Sequence, residues 1–177
     1  MIEMELIGVE VELPFNTPVV LLREAEGGRV LPIVIDVPEA QAIHRALDGI
    51  RMARPMTHDL MAQMLTDLEA ELVSVTITEL RDRTFFAELV IELSGRRITM
   101  SARPSDSVAL AVRTGTPIFA SEAVLAAAGT QLEDPAADDL VDSADAPPSD
   151  LQDTDPAELL DEFKQFLDDL NPEDFEG

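Results

Sequence analysis

Two stretches of this chain can be laid over one another at a fixed offset of 66 residues, and that limits the fold more than any single motif. The offset pairs Leu6 with Leu72, Val9 with Val75, Pro38 with Pro104 and Gly49 with Gly115. The identities fall at matching places in one order of predicted elements. In the first copy, alternation predicts a strand over 6–13, two β-rich runs over 19–24 and 29–36 turn around Gly27-Gly28, and Pro38 opens a helix running to Gly49. In the second, strands over 72–80, 84–93 and 96–102, with Gly95 at a turn, precede a helix opened by Pro104. Internal repetition explains this better than chance. The expected fold is α+β: duplicated strand-strand-strand-helix units, about 6–50 and 72–115, forming a mixed or antiparallel sheet packed with helices. A short strand over 117–119 and a small helix capped by Ser121 and running to Ala128 close the expected body, residues 1–130.

The stretch 51–65 sits between the two copies without a counterpart. Arg54-Pro55 forces an extended residue ahead of the proline, and Thr57 is the expected N-cap of a helix with His58 and Asp59 in its first turn. Leu60, Met61, Met64, Leu65 and Leu68 recur at helical spacing and are expected to face the core, leaving Asp59, Gln63, Thr66 and Asp67 outside.

Charge divides the chain. Of 36 acidic residues, 17 lie in 131–177 against Lys164 alone, leaving 19 acidic and 11 basic residues in 1–130. Residues 131–156 are poor in large apolar side chains and read as a flexible acidic linker. In 157–177, Leu159, Leu160, Phe163, Phe166, Leu167 and Leu170 share one face of an amphipathic acidic helix, which either docks on its own body or recruits a protein partner. The body has no basic run to track a phosphate backbone, and the chain has no Trp or Tyr on which bases could stack, so nucleic acid is expected as a substrate rather than a tight ligand. No apolar run is long enough for a membrane span and no secretory signal opens the chain, so a cytoplasmic location is expected. With no cysteine, zinc-thiolate sites and thiol nucleophiles are excluded. No nucleotide-binding glycine motif occurs. A homodimer is expected, through β-rich edges such as 19–22.

Candidate chemistry gathers at two Arg-Pro dipeptides. Arg54-Pro55 is followed by Thr57 and Asp59, Arg103-Pro104 by Ser105 and Asp106, and each stands at a helix entrance. An arginine beside the partial positive charge of a helix N-terminus welcomes a phosphate, so Arg54, Arg103, Ser105 and Thr57 are the phosphate-binding candidates. The plainer alternative is that the hydroxyls cap, the acids complement the dipole and the arginines make surface ion pairs. His58, with Asp59 and Asp106, is the candidate for catalysis, since imidazole titrates near neutrality. His44, grouped with Gln41, Arg45 and Asp48, reads as part of a solvated face. Glu39, Asp59 and Asp106 are the carboxylates that could hold a divalent metal, Mg or Mn.

Three runs carry a resemblance: Leu31-Pro32-Ile33-Val34-Ile35 with Glu39-Ala40 and Ile43; Arg54-Pro55-Met56-Thr57-His58-Asp59-Leu60; and Ala102-Arg103-Pro104-Ser105-Asp106-Ser107-Val108-Ala109-Leu110-Ala111. In this order and spacing they resemble the bifunctional nuclease domain family over about residues 2–130, and the closing acidic segment resembles the tail of actinobacterial members. The resemblance implies an α+β domain and, for some members, cleavage of both RNA and DNA. The resulting expectation is a nuclease-like protein that hydrolyses RNA and DNA phosphodiester bonds with metal assistance: Asp59, Asp106 and Glu39 on the metal, Arg54 and Arg103 on the phosphate, His58 moving a proton. The rival is a non-catalytic regulatory or protein-interaction module whose acidic tail binds a partner. If Asp59 and Asp106 do not share one concavity, the metal assignment fails.

Overall fold

The computed structural model describes residues 1–131 apart from Leu13 and Phe15. The rest of the expected linker and the expected helix over 157–177 lie outside the described residues. The described elements run β1 (Ile2–Glu12), β2 (Thr17–Glu24), β3 (Arg29–Val34), α1 (Val37–Leu47), α2 (Thr57–Asp67), β4 (Ala70–Arg81), β5 (Thr84–Leu93), β6 (Arg96–Ala102), α3 (Pro104–Thr114), β7 (Ile118–Ala120), α4 (Glu122–Ala128) and β8 (Thr130–Gln131). The fold is α+β. One eight-stranded sheet runs in the order β6-β5-β4-β7-β1-β2-β3-β8. Its neighbours are antiparallel except β4 and β7, which are parallel. The sheet is therefore mixed, with a three-stranded meander on each side of β7 and each meander followed in sequence by a helix.

Local chemistry accounts for the elements. Pro38 and Pro104 stand in the first helical positions of α1 and α3, where a missing N–H costs nothing. Gly49 and Gly115 follow those helices with φ of 64° and 69°, the left-handed region in which only glycine is free of strain. The Ser121 hydroxyl accepts from the Val124 N–H and starts α4. β4 contacts α3 and α4, and Val75, Thr76 and Ile77 are all buried. Two register irregularities interrupt its pairing with β5 and shift the alternation that its sequence suggests. Val108, Leu110 and Ala111 of α3 join Leu22, Leu31, Ile43, Val75 and Ile77 in one apolar cluster.

The structure corrects four expectations. The N-cap of α2 is Met56, not Thr57, and the Asp59 carboxylate accepts the Met56 N–H at 2.9 Å. Leu60, Met61, Met64 and Leu68 are exposed instead of facing the core; the inner stripe of α2 is His58, Ala62 and Leu65. Those three lie at i, i+4 and i+7, so the helix had two candidate faces, and the one whose histidine finds a buried partner packs inward. Residues 19–22 are not a sheet edge, because β2 pairs with β1 on one side and β3 on the other. Gln131, assigned to the linker by composition, is the last residue of β8 and pairs with Arg29. No helix among the described residues is long and apolar enough to cross a membrane.

Candidate functional site

Arg103 is the N-cap of α3 and joins the first turns of two helices. Its Nε donates to Asp106 Oδ2 at 2.7 Å, and its Nη2 donates to Asp106 Oδ1 at 3.0 Å and to Glu39 Oε1, in the first turn of α1, at 2.6 Å. Nη1 is left with only a loose approach to Asp36, 4.0 Å. The Asp106 carboxylate also meets α2: His58 Nε2 lies 3.1 Å from Oδ1, the oxygen that already accepts from Arg103 Nη2. Burial pushes the Asp106 carboxyl up, yet the Arg103 guanidinium and the His58 hydrogen bond outweigh it and hold the group below its usual range. Asp106 is thus ionised at neutral pH and can only accept, so His58 Nε2 carries the proton it shares. The His58 side chain is 9% exposed. Its Nδ1 makes no hydrogen bond among the described residues. Glu39 Oε2 is the one buried side-chain oxygen or nitrogen without a partner among them.

Asp59 takes another direction. It accepts from Arg113 Nε, in the last turn of α3, at 2.5 Å, and Arg113 also donates to the Ala109 and Ala42 carbonyls at 2.7 and 3.1 Å. The Arg113 hydrogen bond, helped by the Met56 N–H, holds the Asp59 carboxyl below its ordinary value. Arg113 and Asp106 are about two turns apart on α3, roughly 10 Å along its axis. Arg54 and Thr57 are exposed, with no side-chain hydrogen bond or ion pair among the described residues. Ser105 is buried, while its neighbour Ser107 donates its hydroxyl to the Arg103 carbonyl. Glu39, His58, Arg103 and Asp106 are therefore brought together; Arg54, Thr57 and Asp59 are not part of that group. His44 is exposed and faces Asp48.

A family model for the bifunctional nuclease domain matches residues 20–133. The match starts within β2, runs past the last described residue and contains every member of the cluster. The chain belongs to the bifunctional nuclease domain family. It is 41% identical, over 99% of its length and 98% of theirs, to uncharacterized proteins from two strains of Mycobacterium tuberculosis. It is also 27% identical to bifunctional nuclease 1 of Arabidopsis thaliana over 57% of this chain and 32% of the plant protein. For bifunctional nuclease 2 of rice the identity is 27% over 67% of this chain and 38% of that protein.

In this bifunctional nuclease domain the expected metal ligands do not form one set. Asp59 points to Arg113, whereas Glu39 and Asp106 both point to Arg103. No group of three or more His, Asp or Glu residues arranged to hold a metal exists among the described residues. The place a divalent cation would need between Glu39 and Asp106 is taken by the guanidinium. Two contributors escaped the sequence reading. Asp36 stands one residue ahead of α1, and Arg113 ends the apolar run Val108 to Val112. A basic residue in a last helical turn is the signal that could have marked Arg113 as a carbonyl binder.

Proposed function

We propose that this domain hydrolyses phosphodiester bonds in RNA and DNA with His58 as general base, Asp106 as the group that orients it and Arg103 as the phosphate ligand. The observation that carries this reading is the 3.1 Å contact between His58 Nε2 and an Asp106 carboxylate whose two oxygens are both held by Arg103. A carboxylate fixed on one imidazole nitrogen sets the tautomer and leaves Nδ1 as the basic atom. Arg103 is 56% exposed, and its Nη1 is the donor not spent on Asp106 or Glu39, so a phosphate oxygen can take it. Water attacks phosphorus as its proton passes to His58 Nδ1. The bond from phosphorus to the departing sugar oxygen breaks, that oxygen takes a proton from solvent, and His58 later releases its own. Water as nucleophile suits both nucleic acids, because deoxyribose has no 2′-hydroxyl. Family membership and the names of the plant relatives support the substrate class.

No step runs through a metal, since a cation bridging Glu39 and Asp106 would first have to displace Arg103. The rival reading, a non-catalytic interaction module, is favoured by that same neutralisation of Arg103 by two carboxylates. The test is cleavage of end-labelled RNA and DNA by purified protein in EDTA and, separately, with Mg or Mn added, with His58→Gln prepared in parallel. Cleavage in EDTA that falls at least about 100-fold in His58→Gln is expected for a lost general base. Cleavage equal in the two proteins, or none under any condition, refutes the assignment. Cleavage that needs the added metal returns the reaction to the metal-assisted form.

A further inference from the structure

A second concavity lies beside the His58–Asp106 pair rather than on it. A cleft of about 1040 Å³ opens between the end of α1, the loop that follows it, α2, the end of α3 and the start of β4. Asp59 and Arg113 stand in its wall, so α2 turns His58 towards one site and the next residue towards the other.

Three observations define what this cleft can hold. Arg45 and Arg51 line it without an ion pair among the described residues, although the chain as a whole is strongly acidic. Arg113, by contrast, is spent on Asp59 and two carbonyls, which leaves Glu71 as the one lining carboxylate without an arginine partner among the described residues. The lining is mixed: Ile50, Met52 and Pro55 supply apolar surface beside the polar Gln63, Thr66 and Thr114. Two guanidinium groups without an ion pair among the described residues, set in a lining with both apolar and polar surface, match a ligand with spaced negative charges and flat apolar faces that carry polar edges. A cleft of about 1040 Å³ has room for a few nucleotides of a single strand. With no Trp or Tyr to stack on, the bases would lie against Met52, Pro55 and the guanidinium planes, which read no particular base.

We propose that this cleft seats a short single-stranded segment of nucleic acid, with Arg45 and Arg51 on successive phosphates, and that it is the strand-binding subsite for cleavage at His58. The proposal rests on the nuclease reading for its second part only. Two phosphate contacts on a single strand give a salt slope of about −1.4, so raising salt fourfold weakens binding about sevenfold. Binding of that kind is weak, in keeping with a substrate that must leave.

The experiment measures anisotropy of short labelled single-stranded RNA and DNA with the full chain carrying Asp106→Asn to slow turnover. It is repeated with Arg45→Glu and Arg51→Glu added, and a chain with Asp106 intact and the same two changes is assayed for cleavage. The expected result is at least tenfold weaker binding of either nucleic acid in the charge-reversed protein, a salt slope flatter by about 1.4, and a raised KM with kcat within about twofold. Unchanged affinity, or no binding of either strand by the Asp106→Asn chain, overturns the proposal. Binding that the two changes abolish, in a protein that cleaves nothing, keeps the cleft and removes the hydrolytic reading instead. If the charge-reversed chain does not fold, amide shifts in the unaltered protein decide: on adding a dinucleotide they should concentrate at Gly49, Thr66 and Thr114, and shifts confined to other residues overturn the proposal.

Discussion

The two Arg-Pro clusters look alike in sequence and end in different surroundings. Arg103 is fixed by Glu39 and Asp106, and Asp106 reaches on to His58. Arg54 stands exposed on a loop, and the acid that follows it, Asp59, is taken by Arg113. The dipeptide and the helix start are local features, but the partner of each side chain is set by which helix packs alongside. α3 lies against both α1 and α2, so its first turn collects groups from both. The exposed side of the α2 entrance has no such neighbour for Arg54.

This contrast can be broken by treating both clusters alike. The largest difference is expected between Asp106→Asn and Asp59→Asn in catalysis. Losing the carboxylate that orients His58 should cost about 100-fold or more in kcat, whereas the Asp59 change should leave kcat within about threefold; nucleic-acid cleavage assays on the two variants check this. Stability separates the two arginines on the Asp59 side. Arg113→Ala removes a side chain only 10% exposed and strips partners from Asp59 and two carbonyls, an expected loss of about 2–3 kcal/mol in urea unfolding. Arg54→Ala should fall within about 0.5 kcal/mol of the parent, as for a surface position without partners.

Acid should expose the same difference more gently. Asp59 and Asp106 both have carboxyls depressed in the folded state. The unfolded chain then binds those protons more tightly than the folded one. Their stabilisation is complete above the ordinary carboxylate value, about 3.9, and is lost as pH falls through the lower folded values. Thermal midpoints should drop below about pH 4, and the part due to Asp59 should shrink in Arg113→Ala to what the Met56 N–H supplies; an unaltered acid limb in that variant would detach Asp59 from Arg113.

Much of the fold was legible because it depends on local punctuation. Gly95, Pro104, Gly115 and Ser121 mark turns and helix ends by backbone chemistry that needs no tertiary knowledge, and β5 and β6 begin and end where those signals place them. The inward face of α2 was not legible. Leu60, Met61, Met64 and Leu68 outnumber Ala62 and Leu65 in apolar surface, yet they face outward, because His58 can be buried only where Asp106 satisfies it. Of the site, Arg103, Asp106, His58 and Glu39 were marked by residue type and by their place at helix entrances. Their separation from Asp59 was not, since consecutive helix residues diverge by about 100° and nothing in the sequence says which neighbour each direction meets.

The His58–Asp106 pair is the centre of this account, and the most direct measurement sets Asp106→Asn beside Asp59→Asn on one labelled single strand in EDTA, at equal protein concentration. The account requires cleavage by Asp59→Asn near the parent rate and cleavage by Asp106→Asn lower by about 100-fold or more. Equal loss in both, or a greater loss in Asp59→Asn, would contradict it and move the chemistry from the Arg103 cluster to the Arg113 side of α2.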